Sequence, residues 1–365
     1  MKFISNKFIF IILLLPFANL LATPWDKIRL NGYSSFEFEQ ELTNTDIKGD
    51  PYGSFDADLF DLVLNIQATD RLRISTDITF EHGASTENGR GNVAIEYAFA
   101  EYTVSDLLKV RTGKMFSAFG IYNEIHTAKP ATIQVKEPRA TNKPDKLTTG
   151  LSATRFFPRW NTGIGLVGSS EKYDYIIQLS NGDQEEVDAD TNPYEADNNT
   201  QKALTGRYRY SPTDNLRLGF SFHHDLFTGA NADINKSTEI SSYGIQLNWE
   251  SDKAAIELES VYGSLDFVDE NNATVNEKIE RVGATLLLSY SLTEVLTPYL
   301  EFEYFDPNLD IKEDEISIII AGINYEIDSN FYLKLEVDRV SSAENNSLYL
   351  GRFSSEIKAA VAIGF

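Results

Sequence analysis

The last residues of the chain include Ile357, Ala359, Val361, Ile363 and Phe365, apolar at every second position up to the end. That period puts all five on one face of an extended strand. Fifteen earlier segments share it. In one, Leu72, Ile74, Ile78 and Phe80 oppose Arg73, Ser75, Asp77 and Thr79. In another, Leu216, Leu218, Phe220 and Phe222 oppose Arg217, Gly219, Ser221 and His223, and a third runs from Phe331 to Asp338. Charges interrupt any i, i+3, i+4 stripe, so no helical period fits. One apolar and one polar face on every strand suit a wall between lipid and water. Lipid offers the backbone no hydrogen-bond partners, so such a sheet must close on itself. The expected fold is all-β, a transmembrane antiparallel β-barrel of about 16 strands.

The connections support that count. Short ones fall at 69–71, 104–107, 171–174, 211–215, 250–254, 291–296 and 327–330. Long polar ones fall at 41–54, 82–92, 116–160, 181–201, 225–238, 265–278, 306–315 and 341–355. Short and long alternate strictly, as in barrels with short periplasmic turns and longer external loops. Tyr210, Trp249, Tyr290, Tyr325 and Phe331 flank short turns, while Phe80, Phe222, Tyr262 and Tyr304 sit at the other strand ends. Two aromatic girdles are therefore expected. A soluble β-sandwich or propeller would also alternate, but it has no need of paired girdles.

The first residues add a compartment. Lys2 and Lys7 precede an apolar run from Phe8 to Leu21, then Ala22 before Thr23-Pro24. This reads as a secretory signal over 1–22, leaving 23–365 as the barrel. There are no cysteines, which excludes thiolate chemistry and a disulfide framework. The formal charge of −23 becomes more negative once the two signal lysines are removed, opposite to that of a duplex-binding protein, so no nucleic-acid partner is expected.

One segment has specific wording. Gly113-Lys114-Met115-Phe116, followed by Phe119-Gly120-Ile121-Tyr122-Asn123-Glu124-Ile125-His126, resembles the third-loop entry of proteins grouped loosely with the phosphate-selective porin O/P family of Gram-negative bacteria. The strand ending in phenylalanine resembles the assembly signal of outer-membrane proteins generally. The resemblance implies a 16-stranded barrel in the outer membrane, often trimeric, with the third external loop folded into the lumen. It also implies passive diffusion of small hydrophilic or anionic solutes. Phosphate-selective members carry a ladder of inward arginines with a lysine cluster. This chain has the lysines in its third loop but matches no arginine ladder position by position.

The charges are unevenly spread. The longest connection, 116–160, has Pro130, Pro138, Pro144 and Pro158 to stiffen it, and apolar Phe119, Ile121, Ile125, Ile133 and Val135 that need burial. It bears Lys129, Lys136, Arg139, Lys143, Lys146, Arg155 and Arg159 against Glu124, Glu137 and Asp145. By strand parity Arg73, Arg111, Arg207, Arg209 and Arg217 face inward, as do Glu257, Glu259, Glu301 and Glu303 later in the chain. A basic inner loop opposite an acidic wall would set a transverse field at the constriction, with anions favoured near the loop. The alternative is that these charges pair with one another and merely hydrate the lumen.

Other functions are less well supported. Asp183, Glu185, Glu186, Asp188, Asp190, Glu195 and Asp197 suggest a solvated external loop. A divalent cation bridging this loop to lipopolysaccharide is a sharper reading, but the run lacks the Asp/Asn-Gly spacing of a dedicated calcium loop. His82, His126, His223 and His224 are scattered, and no Gly-x-Ser-x-Gly, His-Glu-x-x-His or Walker-type motif is present, so neither enzyme chemistry nor a cofactor is expected. Tyr122, Phe156, Phe157 and Trp160 could form an aromatic slide for sugars or could be loop packing. Small lipid-facing Gly206, Ala284, Ala321 and Ala359 could mark a subunit contact.

Overall fold

The computed structural model describes residues 27–43, 52–82, 91–182, 200–227, 236–269 and 278–365. The signal reading over 1–22, the acidic run from Asp183 to Asp197 and the middles of several other long connections fall outside the described residues.

Sixteen strands follow the alternation of the sequence. They are β1 (Ile28–Glu41), β2 (Ser54–Gln67), β3 (Leu72–Glu81), β4 (Asn92–Ser105), β5 (Leu108–Phe116), β6 (Trp160–Ser169), β7 (Tyr173–Ser180) and β8 (Ala203–Thr213). After them come β9 (Leu216–Phe227), β10 (Lys236–Glu250), β11 (Ala254–Asp269), β12 (Lys278–Tyr290), β13 (Leu296–Asp306), β14 (Ile316–Asp328), β15 (Phe331–Ser342) and β16 (Phe353–Gly364). Each pairs antiparallel with its chain neighbours, and β1 pairs with β16 to close the barrel. Closure leaves no edge strand with unpaired backbone groups.

The C-terminal residue helps complete the seam. Gly32 donates its N–H to the Phe365 carbonyl at 2.8 Å, and Phe365 donates to the Gly32 carbonyl at 2.9 Å. The Phe365 ring stacks on Phe60 of β2, with centroids 5.7 Å apart.

Parity sorts the two faces. On β15 and β16, Leu333, Leu335 and Val337 pair in register with Val361, Ala359 and Ile357, all on the outer face. Leu300, Phe302, Ile319 and Ile323 continue the exposed apolar band. Such a band is stable only against lipid. Tyr210, Tyr290 and Tyr325 near the short turns and Tyr304 at the opposite end are also exposed, as two girdles require.

The inner face departs from a simple polar lining. On β14 the inward positions are Ile316, Ile318 and Ile320, all buried. They cluster with Val261, Leu287, Tyr299, Phe305 and Val340 of neighbouring strands. The same cluster takes in Phe119, Ala140, Leu147, Phe156 and Phe157 from residues 117–159. One sector of the inner wall is therefore buried and apolar, and the polar groups lie around it.

Residues 117–159 contain one helical turn, α1 (Arg139–Asn142), and 3-10 turns at Asn123–Ile125, Lys129–Ala131, Pro144–Lys146 and Gly150–Ala153. The prolines at 130 and 144 open two of these turns, where a missing N–H costs nothing.

Candidate functional site

The segment between β5 and β6 is tied to the polar face of the contiguous strands β13–β16, β1 and β2 and, across the barrel, to β8. On the β1–β2 side, Lys129 Nζ lies 3.2 Å from Glu37 and 3.8 Å from Asp58. Lys136 pairs with the same Glu37 and lies 3.0 Å from Glu39. On the β13–β16 side, Arg139 pairs with Asp338 at 2.8 Å, with Glu303 and Glu356 within 4 Å. Lys358 joins this knot, 2.7 Å from Asp338.

The four acids expected on the wall all lie on the inner face, and each binds the segment. Glu257 accepts from Tyr122 Oη at 2.6 Å, and Glu259 accepts from the Ile121 N–H at 3.4 Å. Glu301 accepts from Gln134 Nε2 at 3.0 Å, and Glu303 from the Ala140 N–H at 2.6 Å. Glu336, on the polar face of β15 but not among the expected site acids, accepts from the Val135 N–H at 2.7 Å and from Tyr299. Wall carboxylates thus satisfy backbone donors that an irregular buried segment would otherwise leave orphaned.

Two glycines permit the close approach. Gly120 adopts φ +68°, and a Cβ there would collide with the Glu259 carboxylate. A Cβ at Gly283 of β12 would strike the Ala140 carbonyl, so α1 rests directly on that strand.

The loop cations are accordingly in contact with carboxylates and do not face them across water. Lys143 and Arg159 share Glu137 at 2.9 Å and 2.7 Å, and Lys146, more exposed, lies 3.7 Å from Asp145. Burial pushes the Glu137 carboxyl up, but Arg159 and Lys143 outweigh it and hold it well below the usual carboxylate range. Burial lowers Lys143 despite Glu137. Beyond the ion pairs, a cavity of about 430 Å³ opens toward the long connections, lined by both signs: Lys136, Arg139, Lys143, Glu39, Glu137 and Glu356 among others.

The wall arginines divide. Arg207 is buried, paired with Glu124 of the segment and donating to the Gly120 carbonyl at 3.0 Å. Arg209 pairs with Asp174 at 2.7 Å, and Arg217, exposed near a short turn, reaches Ser211. Arg73 and Arg111 approach opposite oxygens of Glu101 at 3.1 Å and 2.8 Å, and both guanidinium groups lie over the Phe99 ring. Lys109 lies 3.8 Å from the same carboxylate. One acid therefore serves three cations. Sequence reading missed Lys109, Lys27 and Arg29, although the alternation Lys27-Arg29-Asn31-Tyr33 already placed Lys27 and Arg29 on the face of Tyr33.

Among the histidines, His223 is buried and bonds Thr205 at 2.8 Å. His126 sits between Phe116 and Trp160, with Nδ1 2.7 Å from the Asn123 carbonyl. That acceptor requires a proton on Nδ1. Burial and then Arg159 push its pKa down to about 3. Tyr122, Phe156 and Phe157 are buried in the contact between segment and wall, where they present no aromatic slide. Among the described residues no group of three or more His, Asp or Glu is arranged to hold a metal ion.

No family model matches the sequence. An uncharacterized protein of Aquifex aeolicus is 25% identical over 210 residues, covering 53% of this chain and 43% of that protein, so the match spans less than half of the relative. Solved structures agree far more widely. An anion-selective porin from Comamonas acidovorans superposes with a TM-score of 0.63 at 11% identity, over 93% of this chain and 99% of that one. OmpF of Salmonella typhi gives 0.61 at 12% identity, and the outer-membrane channel DcaP of Acinetobacter baumannii 0.60 at 10%, each over 93% of this chain and 97% of theirs. At such identities the likeness is one of fold. Together with the apolar outer band and the closed antiparallel wall, it makes this chain a 16-stranded outer-membrane barrel of porin-like architecture.

Proposed function

We propose that the protein is a passive diffusion channel of the outer membrane for small hydrophilic solutes, with a preference for anions. In this reading residues 116–160 cross the lumen as the constriction. Ion pairs from Lys129 to Glu37 of β1 and from Glu124 to Arg207 of β8, seven strands apart around the closed wall, support that placement. The short turns then face the periplasm.

The observation that carries the anion preference is the band at the short-turn end of the inner wall. There Arg73, Lys109 and Arg111 share the single carboxylate of Glu101, and Lys27 and Arg29 lie alongside. A patch of one sign in a narrow, low-dielectric passage raises the local concentration of counter-ions. The loop lysines contribute less, because wall carboxylates already meet them. The segment's likeness to the phosphate-selective porin O/P family puts phosphorylated solutes among the anions to be tried.

The fold neighbours include OmpT of Vibrio cholerae in a trimer form, and a homotrimer in contact with lipid and lipopolysaccharide is part of the proposal. Planar bilayers with the purified protein test it. A potassium chloride gradient should give a reversal potential on the anion side, and Arg73→Glu with Arg111→Glu should move it toward cations. A potential that favours cations in the unmodified protein would overturn the anion assignment, and absence of any conductance would overturn the channel.

A further inference from the structure

We propose that the periplasmic mouth of the barrel contains a binding site for a small multivalent oxyanion, built by Lys27, Arg29, Arg73 and the side-chain amide of Asn65. The site rests on the channel reading and goes beyond it, because it holds a solute where the general reading only admits one.

The cavity there measures about 490 Å³ and is lined by Lys27, Arg29, Asn31, Asn65, Gln67 and Arg73. Among the described residues no carboxylate lines it, in a chain with 55 acidic residues and only 32 lysines and arginines. Register explains how these residues converge. Arg29 pairs directly with Asn65, and Gln67 with Arg73, so all four stand on the same inner face of β1, β2 and β3. Lys27 precedes β1 by one residue and lies beside Gln67 by the same register.

The hydrogen bonds orient the amide. Asn65 Oδ1 accepts from Ser75 Oγ at 2.8 Å and faces Arg73 Nη1 at 3.5 Å. With its oxygen engaged, Asn65 has its NH₂ left as a donor. Gln67 turns its own NH₂ to the Thr69 carbonyl at 2.7 Å, which leaves three cations and the amides of Asn65 and Asn31 as the donors.

Arg73 is fixed by Glu101 on one side and stacks on Phe99 at 5.5 Å, so its fork is held in place before a ligand arrives. Lys27 and Arg29 form no ion pair among the described residues. A planar guanidinium matches an oxyanion edge in two parallel hydrogen bonds, and a second cation favours a second negative charge. A fixed fork with two cations alongside suits a divalent oxyanion better than chloride.

The test uses single channels of the whole protein in planar bilayers, with chloride carrying the current. Sulfate and succinate are added to one side at a time. Each anion that fits should reduce the chloride current at lower concentration from the short-turn side than from the other. The stronger blocker tells whether a tetrahedral oxyanion or a pair of carboxylates is the better match. Lys27→Gln with Arg29→Gln should raise the half-blocking concentration about tenfold, the loss of one good ionic contact.

Asn65→Asp, which keeps every cation and adds a negative charge to the cavity, should act the same way and guards against misfolding of the double variant. Lys146→Gln, on the opposite side of the segment, should leave the block unchanged. Equal block from both sides, or block unaltered in both variants, would overturn the site. The reversal potential measured in the same membranes reads the anion preference separately, so a lost site and a lost preference can be told apart.

Discussion

Two sectors of the inner wall use charge in opposite ways. Along β11, β13 and β15 the carboxylates of Glu257, Glu259, Glu301, Glu303 and Glu336 are consumed by the segment that packs on them. At the short-turn end of β1, β3 and β5, five cations gather around one carboxylate and an open cavity. The acidic sector holds the segment, and in the proposed channel the basic sector is left for a mobile ion. A charge fully matched within the chain is not available to a solute, whereas three cations on the one carboxylate of Glu101 keep an excess. Which residues select ions is therefore decided by what has already neutralised them.

Breaking the anchor should have the largest effect. Asp338 is fully buried between Arg139 and Lys358. Asp338→Asn takes from both buried cations their nearest shared carboxylate and leaves Glu356 alone shared by both, a loss of up to about 3–5 kcal/mol by the usual cost of breaking a buried pair. Denaturant unfolding in detergent should read it, with a wider and noisier conductance as the loop loosens. In the basic sector, Glu101→Gln should cost less, about 1 kcal/mol, because Arg73 is partly open to water. Its effect should be on selectivity, strengthening the proposed anion preference by removing the carboxylate that Arg73, Lys109 and Arg111 share. If both variants lose similar stability, the two sectors do not differ as described.

Next comes Gly283→Leu, which pushes a side chain into the Ala140 carbonyl. Overpacking of this kind costs about 1–3 kcal/mol. Because the barrel closes independently through its strand ladder, heat resistance of the barrel should change little while the conductance shifts. A loss of strand circular dichroism would instead mean that segment and wall fold as one unit.

Period two made the wall legible. It located all sixteen strands and the alternating connections, since a strand has only two faces. It did not reveal how the charges pair, because ion pairs between Arg139 and Asp338 or between Lys129 and Glu37 join positions about two hundred or ninety residues apart. Nor did it expose the apolar inner patch. Ile316, Ile318 and Ile320 stand beside outward Ile319, and a strand apolar on both faces reads only as hydrophobic. Lys27 and Arg29 were legible in principle, being at alternate positions, but they sit before the first clear apolar alternation.

Acidification should separate the segment from the wall more gently. His126 is held neutral, its pKa pushed down to about 3 by burial and Arg159, whereas in an unfolded chain it titrates near about 6.5. The unfolded state binds the extra proton first, so stability falls as pH drops from about 6.5 toward 3, by at most about 1.4 kcal/mol per unit for one proton. Glu137 acts in the same direction at lower pH, its carboxyl being held below the usual range, so its contribution is present above about 4.3 and lost as pH falls. Asp314 opposes both: burial and Asp306 raise it to about 6, so its contribution is present at low pH and lost as pH rises through 6. The difference between the unmodified protein and His126→Asn isolates the first effect. Melting temperatures should converge as pH falls between about 6 and 4.5. Parallel curves would show that His126 does not titrate on unfolding.

The smallest effect is expected at Arg217, which is exposed and reaches Ser211 at 3.4 Å. Arg217→Gln should leave stability within about 0.5 kcal/mol, the range of surface changes away from special features. It lies at the short-turn end on β9, apart from the cluster around Glu101, in a cavity that also holds Asp214, Glu250 and Glu257. Those carboxylates offset it locally, so its removal should move the reversal potential far less than reversing Arg73 and Arg111. An equal shift from Arg217→Gln alone would mean that the whole rim, rather than the β1–β5 sector, sets the preference, and the contrast between sectors would have to be redrawn around the full circumference.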